Sequence, residues 1–299
     1  MTMTKVDSRD TLRIVTGRFL KMNRKRNVIA VMAIMLTALL FTSLFTGTGS
    51  LPLSKRATDI RQFMLSSHAS VQDLTNEEAQ SALAALKQDK AVSRFGRGIF
   101  LGGAVNPEFH FSTEVRFVDE NNAESYQCVP TEGHLPQKKN EIAVSSLVLD
   151  SLGVPYELGQ KVSVSWMTDD ATGNVQTDEF VLSGYWKGDK AVLGQLIFVS
   201  EAYAKENTPT PSRKEIDNGV YNGAYDYTVW YDSLWNLREK TNQLSEQAGL
   251  AGSSCQFEVN PAFDLMEEDA FSAGSLIFLI LLIMLMGYLI IYNIFSISV

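Results

Sequence analysis

Histidine and cysteine are scarce in this chain of 299 residues, which contains three histidines and two cysteines. A zinc site needs three or four converging ligands, but His68, His110 and His134 are far apart and show neither HxH nor HExxH spacing. The chain also lacks the GxxxxGKS or GxxxxGKT pattern that holds nucleotide phosphates and the GxSxG pattern around a nucleophilic serine. These absences predict a protein that is not an enzyme and that binds no metal or cofactor of its own.

The two cysteines, Cys128 and Cys255, are 127 positions apart and form no CxxC motif. In an oxidising compartment they can pair as a disulfide. The alternative is two separate small residues, each buried in a core. The sequence leaves both interpretations open.

Charged side chains are absent from two stretches, residues 28–50 and residues 271–299. Because about 20 apolar residues cross the hydrocarbon core of a bilayer, both stretches predict transmembrane α-helices. A cleaved signal peptide is the alternative for the first stretch, since the small residues at 46–50 offer a cleavage site. The long tail in front of this stretch favours a retained anchor.

The distribution of charge predicts the topology. Residues 1–27 carry eight basic and two acidic residues, whereas residues 51–270 carry 18 basic and 32 acidic residues. Basic segments stay on the cytoplasmic side because anionic lipid and the membrane potential oppose their translocation. We therefore expect a multi-pass protein of the cytoplasmic membrane, with a cytoplasmic N-terminus, an extracytoplasmic domain and lipid as a partner. The acidic domain argues against nucleic acid as a partner, because it would repel the phosphates.

The basic tail has a helical pattern of its own. Leu12, Val15, Phe19 and Met22 recur at steps of three and four residues, and the basic residues lie off that stripe. The pattern predicts an amphipathic helix on the inner surface of the membrane. Beyond the first apolar stretch, residues 58–65 are expected to extend the transmembrane helix outward as a stalk.

The expected extracytoplasmic domain begins with a strand–helix–strand pattern. Thr75 and Glu78 have the spacing of a capping box, which predicts a helix at residues 76–88. The flanking residues 68–74 and 91–100 have the composition of strands.

The same order recurs near the end of the domain. Alternating side chains predict a strand at 225–231, followed by a helix at 233–250 and a strand at 255–260. The predicted fold class is therefore α+β, with two β-α-β halves and an inserted strand-rich lobe between two transmembrane α-helices. The two porter-like halves and the inserted lobe are expected at residues 58–100, 224–260 and 101–223.

The inserted lobe is predicted to be rich in short strands. Ser145 or Ser146 caps a short helix that ends at Gly153, a natural left-handed position. Residues 169–174 have hairpin-turn chemistry, and the glycine-rich residues 94–103 indicate β-bulges or a mobile loop. The strands are expected at residues 114–119, 161–166, 179–184 and 196–200.

One aromatic run is the candidate ligand surface of the domain. Exposed aromatic side chains often mark binding sites, but half of a strand's side chains are expected to face a core. Packing in the core is therefore the favoured interpretation, and a ligand surface is the alternative. The run comprises Tyr221, Tyr225, Tyr227, Trp230, Tyr231 and Trp235, of which Tyr225, Tyr227, Trp230 and Tyr231 are the candidate ligand residues.

A series of short motifs carries a resemblance to a known family. The chain contains, in order, G-x-x-P, N-E-I, L-G, G-x-x-V and a phenylalanine-to-glycine run. This order resembles the extracytoplasmic domain of FtsX/MacB-like ABC transporter permeases, and residues 292–299 and the basic tail also resemble that family. We interpret the motif residues as scaffold, with Gly133 and Pro136 setting a turn, Gly153 ending a helix and Gly184 ending a strand. The full set is Gly133, Pro136, Asn140, Glu141, Ile142, Gly153, Gly159 and Gly184.

The resemblance implies a function without chemistry in this chain. Family members act as pairs of permeases, homodimeric or heterodimeric, that bind cytoplasmic ABC ATPase subunits, so ATP is held by the partner. ATP-driven closure is relayed through the membrane helices to the outer domain, a process called mechanotransmission, which serves export, extraction or the activation of an extracytoplasmic partner. The family also has further membrane segments, so the natural chain is expected to continue past Val299.

Two other functions remain as alternatives. The first is a two-pass membrane sensor whose extracytoplasmic domain binds a ligand. The second is an anchored hydrolase, which the absence of a nucleophile–base constellation disfavours.

Overall fold

The computed structural model describes residues 8–167, 174–192 and 194–264, together with residues 277–278, 280–285, 287–288 and 292. The chain forms two compact units, one of Lys55–Leu265 and one of Met1–Ser54 with Met266–Val299. Most of the hairpin turn expected at residues 169–174 and the motif at residues 293–299 lie outside the described residues.

The N-terminal residues form two helices, α1 (Ser8–Met22) and α2 (Arg24–Phe63). Helix α1 confirms the helix predicted in the basic tail, and α2 includes most of the predicted helical extension at 58–65. Within the described residues, no helix alone has the length and hydropathy of a membrane span. The pair Leu12–Met22 and Asn27–Ser43, bent by 83°, meets that criterion jointly, by length and composition only.

The two predicted β-α-β halves are present, and they interleave. The first is β1 (Ala69–Leu74), α3 (Asn76–Gln88) and β2 (Val92–Ala104); the second is β9 (Tyr225–Tyr231), α8 (Leu237–Gln247) and β10 (Glu258–Val259). The strand order is β10-β1-β9-β2, and all the pairs are antiparallel. Each half is therefore a split β-α-β unit with a strand of the other half between its two strands. We call these six elements the porter-like lobe.

Local sequence explains where the helices of this lobe begin. The backbone N–H of Glu78 donates to Thr75 Oγ1 at 3.3 Å and the N–H of Thr75 donates to Glu78 Oε2 at 2.9 Å, so the predicted capping box is confirmed. Helix α8 begins four residues later than predicted, because Asn236 has a left-handed conformation with a φ of 52°. Both helices cover one face of the sheet, where Tyr227, Val229 and Tyr231 are buried against them.

The inserted residues form a closed ring of strands. Its members are β2, β3 (Ser112–Val118), β5 (Glu141–Ser145), β6 (Lys161–Met167), β7 (Val175–Trp186) and β8 (Gly194–Val199). The pairs β3–β8 and β5–β7 are parallel, while β2–β3, β5–β8, β6–β7 and β2–β6 are antiparallel. These pairings close a six-stranded barrel, in which each strand pairs with two neighbours.

The interior of the barrel is mostly aliphatic and aromatic. Helices α5 (Ser146–Leu152) and α6 (Glu201–Asn207) contribute Val148, Leu149 and Tyr203 to it. The buried strand residues are Ile99, Leu101, Val115, Phe117, Ile142, Val144, Val162, Val164, Trp166, Phe180, Leu182, Ile197 and Val199.

Strand β2 belongs to both parts of the domain. Its residues from Val92 to Ile99 pair with β9, and its residues from Gly98 to Ala104 pair with β3 and β6. The glycine-rich stretch at 94–103 is thus a strand with an irregularity between Phe100 and Gly102. The expected bulge is confirmed, and the mobile loop was the wrong alternative.

Several elements were not predicted from the sequence. Strand β5 has five consecutive buried residues and therefore no alternation to reveal it. Three helices are too short for a helical period to be read: α4 (Glu120–Ser125), α6 and α7 (Arg213–Asp217). By contrast, the four predicted strands of the lobe correspond to β3, β6, β7 and β8.

Candidate functional site

Two of the family-like motif residues, Gly133 and Gly184, lie opposite each other where the two-residue strand β4 (Glu132–Gly133) pairs with β7 in antiparallel orientation. Gly133 has a φ of 80°, and a Cβ there would lie 2.9 Å from Gly184 Cα. A Cβ on Gly184 would lie 2.5 Å from the carbonyl oxygen of His134. The two backbones are therefore close enough to require glycine on both sides. Gly184 lies inside β7 and not at a strand end as predicted. Glycine is required at this position because the backbone of His134 lies too close for a side chain.

Three more motif residues accept hydrogen bonds: Glu141 from the connection before β5, and Asn140 and Ile142 from β7. The Glu141 carboxylate is buried and accepts the backbone N–H of Gln137 at 2.9 Å and of Lys138 at 3.0 Å. Although burial raises the pKa of Glu141, these hydrogen bonds outweigh it and lower that pKa. The carbonyl of Asn140 accepts from Val181 at 2.7 Å, and that of Ile142 accepts from the Ser183 hydroxyl at 3.0 Å.

Two more glycines of the motif have positive φ angles. Gly153 ends α5 in a left-handed conformation with a φ of 66°, which confirms the predicted helix stop. Gly159 has a φ of 86°, and its N–H donates to Leu182 at 2.8 Å. Pro136 lies in the connection between β4 and β5. The motif residues thus act on backbone geometry, and we find no reactive side chain that they orient.

The structure decides between the two interpretations of the cysteines. Cys128 and Cys255 are both buried free thiols. They belong to different hydrophobic clusters, since Cys128 packs with Trp186 and Phe198 while Cys255 packs beneath α8. The candidate disulfide is therefore not formed, and burial raises the pKa of the Cys128 thiol to about 12.

The aromatic run is mostly core. Tyr227, Trp230 and Tyr231 are buried, so the ligand-surface interpretation does not hold for them. The Tyr227 hydroxyl donates to the carbonyl of Ala79 at 3.1 Å, which ties β9 to α3. Tyr225 is half-buried and lines a cavity together with Tyr221, and Trp235 at the end of the run is exposed.

That cavity lies beside a group of polar residues, all buried except the half-exposed Glu114, which we call the junction cluster. It consists of Glu114, Arg116, Asn122, Tyr126 and Asp226. The guanidinium of Arg116 donates to the Tyr126 hydroxyl, lies 3.0 Å from Glu114 Oε2 and approaches Asp226 Oδ1 to 3.9 Å. The Asn122 amide donates to Asp226 Oδ2 at 2.8 Å. The cluster therefore joins β3 of the barrel to β9 of the porter-like lobe.

Two glycines of β2 make room for the junction cluster. A Cβ on Gly98 would lie 2.6 Å from Asp226 Oδ2, and a Cβ on Gly96 would lie 2.7 Å from Asn122 Cα. Helix α4 and the charged pair thus occupy the space that side chains would fill on this face of β2. The glycine-rich composition of the strand is explained by this close approach.

Burial and pairing shift the ionisation of the cluster. Burial alone lowers the pKa of Arg116, but Tyr126, Asp226 and Glu114 outweigh it and raise that pKa, so the guanidinium stays charged. Burial raises the pKa of Asp226, and the opposing effects of Arg116 and Asn122 do not cancel the increase. The charged forms of Arg116 and Asp226 therefore each depend on the partner groups that surround them.

Three neighbouring cavities form a groove past this cluster. The first, of about 190 Å³, is lined by Asp73, Tyr221 and Tyr225 and by three residues of the cluster, Glu114, Arg116 and Asp226. The second, of about 300 Å³, shares Glu114 and Arg116 with the first. The third, of about 230 Å³, extends to Arg61 at the end of α2 and shares four lining residues with the second. Those shared residues are Met64, Tyr126, Val192 and Gln195.

A second polar group fastens the two ends of the domain to each other. Asn260 is buried, and its amide donates to the carbonyls of Leu65 and Ser67, both at 2.7 Å. The backbone N–H of Asn260 donates to the carbonyl of His68 at 2.9 Å. Leu65 lies two residues after the end of α2, and Asn260 lies near the end of the domain. These bonds therefore hold the segment that enters the domain beside the segment that leaves it, and we call these two segments the chain passages. We call residues 65–68 and 260–264 the clasp.

A side chain of α2 and a backbone group of β9 reinforce the clasp. Arg56 Nε donates to the carbonyl of Ala262 at 3.2 Å, and its guanidinium lies 4.8 Å from the Phe263 ring centroid. His68 Nδ1 accepts the backbone N–H of Tyr231 at 3.0 Å. Burial lowers the pKa of His68, and the nearby cations Arg56, Arg94 and Lys240 lower it further, which favours the neutral ring that can accept this bond.

Neither polar group was predicted from the sequence, although a signal for one was present. Arg116 follows Val115 and precedes Phe117 and Val118, and Asp226 stands between two tyrosines. A charged residue inside an apolar strand segment indicates a buried pair. Asn260 offers no comparable signal, because asparagine is also typical of a turn before proline.

The geometry was compared with known proteins. No family model matches the chain, and no curated protein matches it. Several solved structures are similar to it, including the following three. The periplasmic region of MacB from Actinobacillus actinomycetemcomitans has 12% identity and a TM-score of 0.41, with 70% of this chain and 94% of that chain covered.

The second is the extracellular domain of the noncanonical ABC-type transporter YknZ from Gram-positive bacteria, with 10% identity, a TM-score of 0.39, and 64% and 98% coverage of the two chains. The third is a domain of a protein named as a permease from Porphyromonas gingivalis, with 9% identity, a TM-score of 0.39, and 64% and 89% coverage. All three likenesses are distant.

Proposed function

We propose that this chain is the permease component of an ABC transporter of the FtsX/MacB-like type. In this function the outer domain, Lys55–Leu265, is moved by apolar segments that enter the cytoplasmic membrane, and ATP is hydrolysed by a cytoplasmic partner subunit. A second permease subunit completes the assembly. The motif resemblance supports the family, and two of its residues, Gly133 and Gly184, pair with each other in β4 and β7.

The clasp is the observation that carries the mechanical part of the proposal. Helix α2 contains the uncharged residues 28–50 and ends at Phe63, two residues before the first carbonyl that Asn260 binds. A helix transmits displacement along its axis because every turn is hydrogen-bonded to the next. Movement of α2 would therefore reach the end of the domain directly through Asn260, without a flexible linker between them.

Co-purification tests the family assignment. The full natural chain, tagged and extracted from its native membrane in mild detergent, is expected to retain a stoichiometric subunit that has a nucleotide-binding P-loop and hydrolyses ATP. An unrelated tagged membrane protein from the same cells serves as the control. Recovery of an active assembly that contains no ATPase would refute the proposal.

The groove favours a second candidate function, a membrane sensor that binds a ligand. Three carboxylates, those of Asp73, Glu114 and Asp226, and one cation, Arg116, line its first cavity together with Tyr221 and other aromatic residues. Such a lining suits a small organic cation that stacks on aromatic rings. A sensor would bind its ligand and signal in the absence of any ATPase.

Thermal unfolding of the full chain with spermidine as the cationic probe tests this candidate. A sensor with this chemistry would gain stability in proportion to the logarithm of the probe concentration once binding is saturated. A variant with Tyr221→Ala should lose that gain, because Tyr221 is partly exposed at the cavity wall. No shift with the probe would remove the support that the groove gives to the sensor function.

A further inference from the structure

The four tryptophans of the chain differ sharply in exposure. Trp166, Trp186 and Trp230 are 0%, 4% and 7% exposed, whereas Trp235 is 78% exposed. Leaving a large indole ring in water forfeits the free energy of burying it. A single exposed tryptophan on an otherwise polar turn therefore indicates a surface that another phase or molecule covers.

The turn that carries Trp235 is held in place by the backbone. Residues 232–236 connect β9 to α8, and the N–H of Asp232 donates to the carbonyl of Ala91 at 2.9 Å. The N–H of Trp235 donates to the Ser233 hydroxyl at 3.1 Å, and Asn236 has the left-handed conformation that starts α8. Leu234 is half-buried in the core beneath the turn, which leaves Trp235 at the tip.

The tip lies at the same end of the domain as the clasp. Tyr231, the last residue of β9, donates its N–H to His68. Arg238, in the first turn of α8, binds the carboxylate of Asp264 with distances of 2.9 and 2.7 Å. The turn is therefore attached to both chain passages, one after α2 and one before the second apolar stretch.

We propose that Trp235 inserts its ring into the headgroup region of the lipid bilayer next to these passages. The indole has an apolar body and one N–H donor, which suits the interface between hydrocarbon and water. Lys90 is exposed beside Ala91, so it can reach lipid phosphates on the same side. The inference rests on the membrane attachment in the proposed function and adds a lipid contact for the outer domain itself.

A bilayer fits this surface better than a protein partner does. The exposed neighbours of Trp235 in the turn are Asp232, Ser233 and Asn236, and Leu234 is half-buried, so most of the exposed apolar area belongs to one side chain. A stable protein interface buries about 800 Å² on each partner around a central apolar cluster. A lone aromatic tip with a polar rim matches an interfacial anchor instead.

Fluorescence quenching can test the contact, because three of the four tryptophans are shielded in the core. The full chain is reconstituted into phosphatidylcholine nanodiscs, with and without bromine on the acyl chains near the headgroups. We expect bromine to quench part of the emission, while acrylamide in the buffer quenches little. The variant W235F should lose nearly all of the bromine-sensitive emission, and the matched control W186F should keep it.

The outcomes separate this inference from the proposed function. Incorporation into nanodiscs is measured first, by gel filtration with the belt protein. If the chain is incorporated but Trp235 is quenched by acrylamide and not by bromine, the inference fails and the proposed function stands. Protection from both quenchers would mean that protein covers the ring, which also overturns the inference. A chain that does not enter nanodiscs would overturn the inference and the membrane attachment together.

Discussion

The barrel and the porter-like lobe solve the same packing problem in different ways. The barrel closes its strands into a ring and fills the interior with apolar side chains, and its motif glycines act through backbone contacts. The porter-like lobe is an open sheet that ends at the two-residue strand β10. Besides the shared strand β2, its connections to the barrel and to the chain passages are made by polar side chains, above all the buried Asp226 and Asn260 and the half-buried His68.

We infer from this difference that the barrel provides rigidity and that the porter-like lobe provides the coupling to the rest of the chain. A closed apolar ring has no alternative set of partners, so we interpret the barrel as a rigid body. Hydrogen-bonded side chains such as Asn260 can exchange partners at low cost if a new acceptor is available. We therefore expect movement to be received by the porter-like lobe and passed through the junction cluster to the barrel.

The largest expected effect comes from breaking the junction cluster. R116M removes the cation that compensates the buried carboxylate of Asp226, and loss of one partner of a buried pair costs about 3 to 5 kcal/mol. The free energy of unfolding is measured by urea titration of the full chain in detergent. The double variant R116M/D226N should recover part of this loss, since the unpaired charge is removed.

An exposed ion pair on the barrel provides the control for this prediction. Lys161 and Glu179 lie 3.1 Å apart, and both side chains are exposed. Exposed pairs contribute about 1 kcal/mol or less, so K161M should change stability by no more than that. Equal effects of R116M and K161M would show that the junction cluster is not what joins the lobes.

The next effect concerns the shared strand β2. G98A would place a methyl group against the carboxylate of Asp226 and the amide of Asn122, and overpacking of this kind costs about 3 kcal/mol. The matched control is G103A, five residues along the same strand, where a Cβ meets no atom within 4 Å. We expect G98A to be destabilised and G103A to be nearly neutral. Equal urea midpoints would contradict the proposed role of the glycines.

The clasp should show a smaller loss of stability and a larger loss of function. N260A leaves the buried carbonyls of Leu65 and Ser67 without their amide donor, at a cost of about 2 kcal/mol. Under the proposed function, N260A should still co-purify with the ATPase but fail to restore the phenotype of a strain that lacks the gene. Full complementation by N260A would contradict the relay through the clasp.

The smallest effect is a dependence on pH. Because the folded domain holds the pKa of His68 below its unfolded value of about 6.5, the unfolded chain binds more protons as the pH falls through that value. Stability from the neutral ring is therefore complete above about pH 6.5 and decreases below it. H68N, which keeps an acceptor for Tyr231, should weaken this decrease, whereas H110N at an exposed histidine should leave it unchanged.

Local signals predicted much of the porter-like lobe. The capping box at Thr75 and Glu78 gave the bounds of α3, and the alternation from Tyr225 to Tyr231 gave β9. The interleaving of the halves was not predicted, because it depends on which strands pair across more than 100 residues. The closed barrel was missed for the same reason, since its parallel pairs β3–β8 and β5–β7 leave no local pattern.

The candidate site was harder to predict than the fold. The motif residues were correctly interpreted as scaffold at Gly153, but the reason for Gly184 lies in a backbone that crosses it from residue 134. The centre of the aromatic run packs in the core, as the favoured interpretation of the sequence had it, because both faces of β9 are covered, one by α3 and α8 and the other by α4. Alternation reveals a strand but not which of its faces reaches solvent.

Hydrogen exchange on the intact complex tests the relay most directly. The full chain is placed in lipid nanodiscs with its co-purified ATPase, and amide exchange is compared between the nucleotide-free and vanadate-trapped states. We predict a change at the clasp, where the N–H groups of Ser66, His68 and Asn260 are hydrogen-bonded, and no change in the barrel strands β5 and β8. Unchanged exchange at the clasp, with the ATPase trapped, would contradict the proposed transmission of movement to the outer domain.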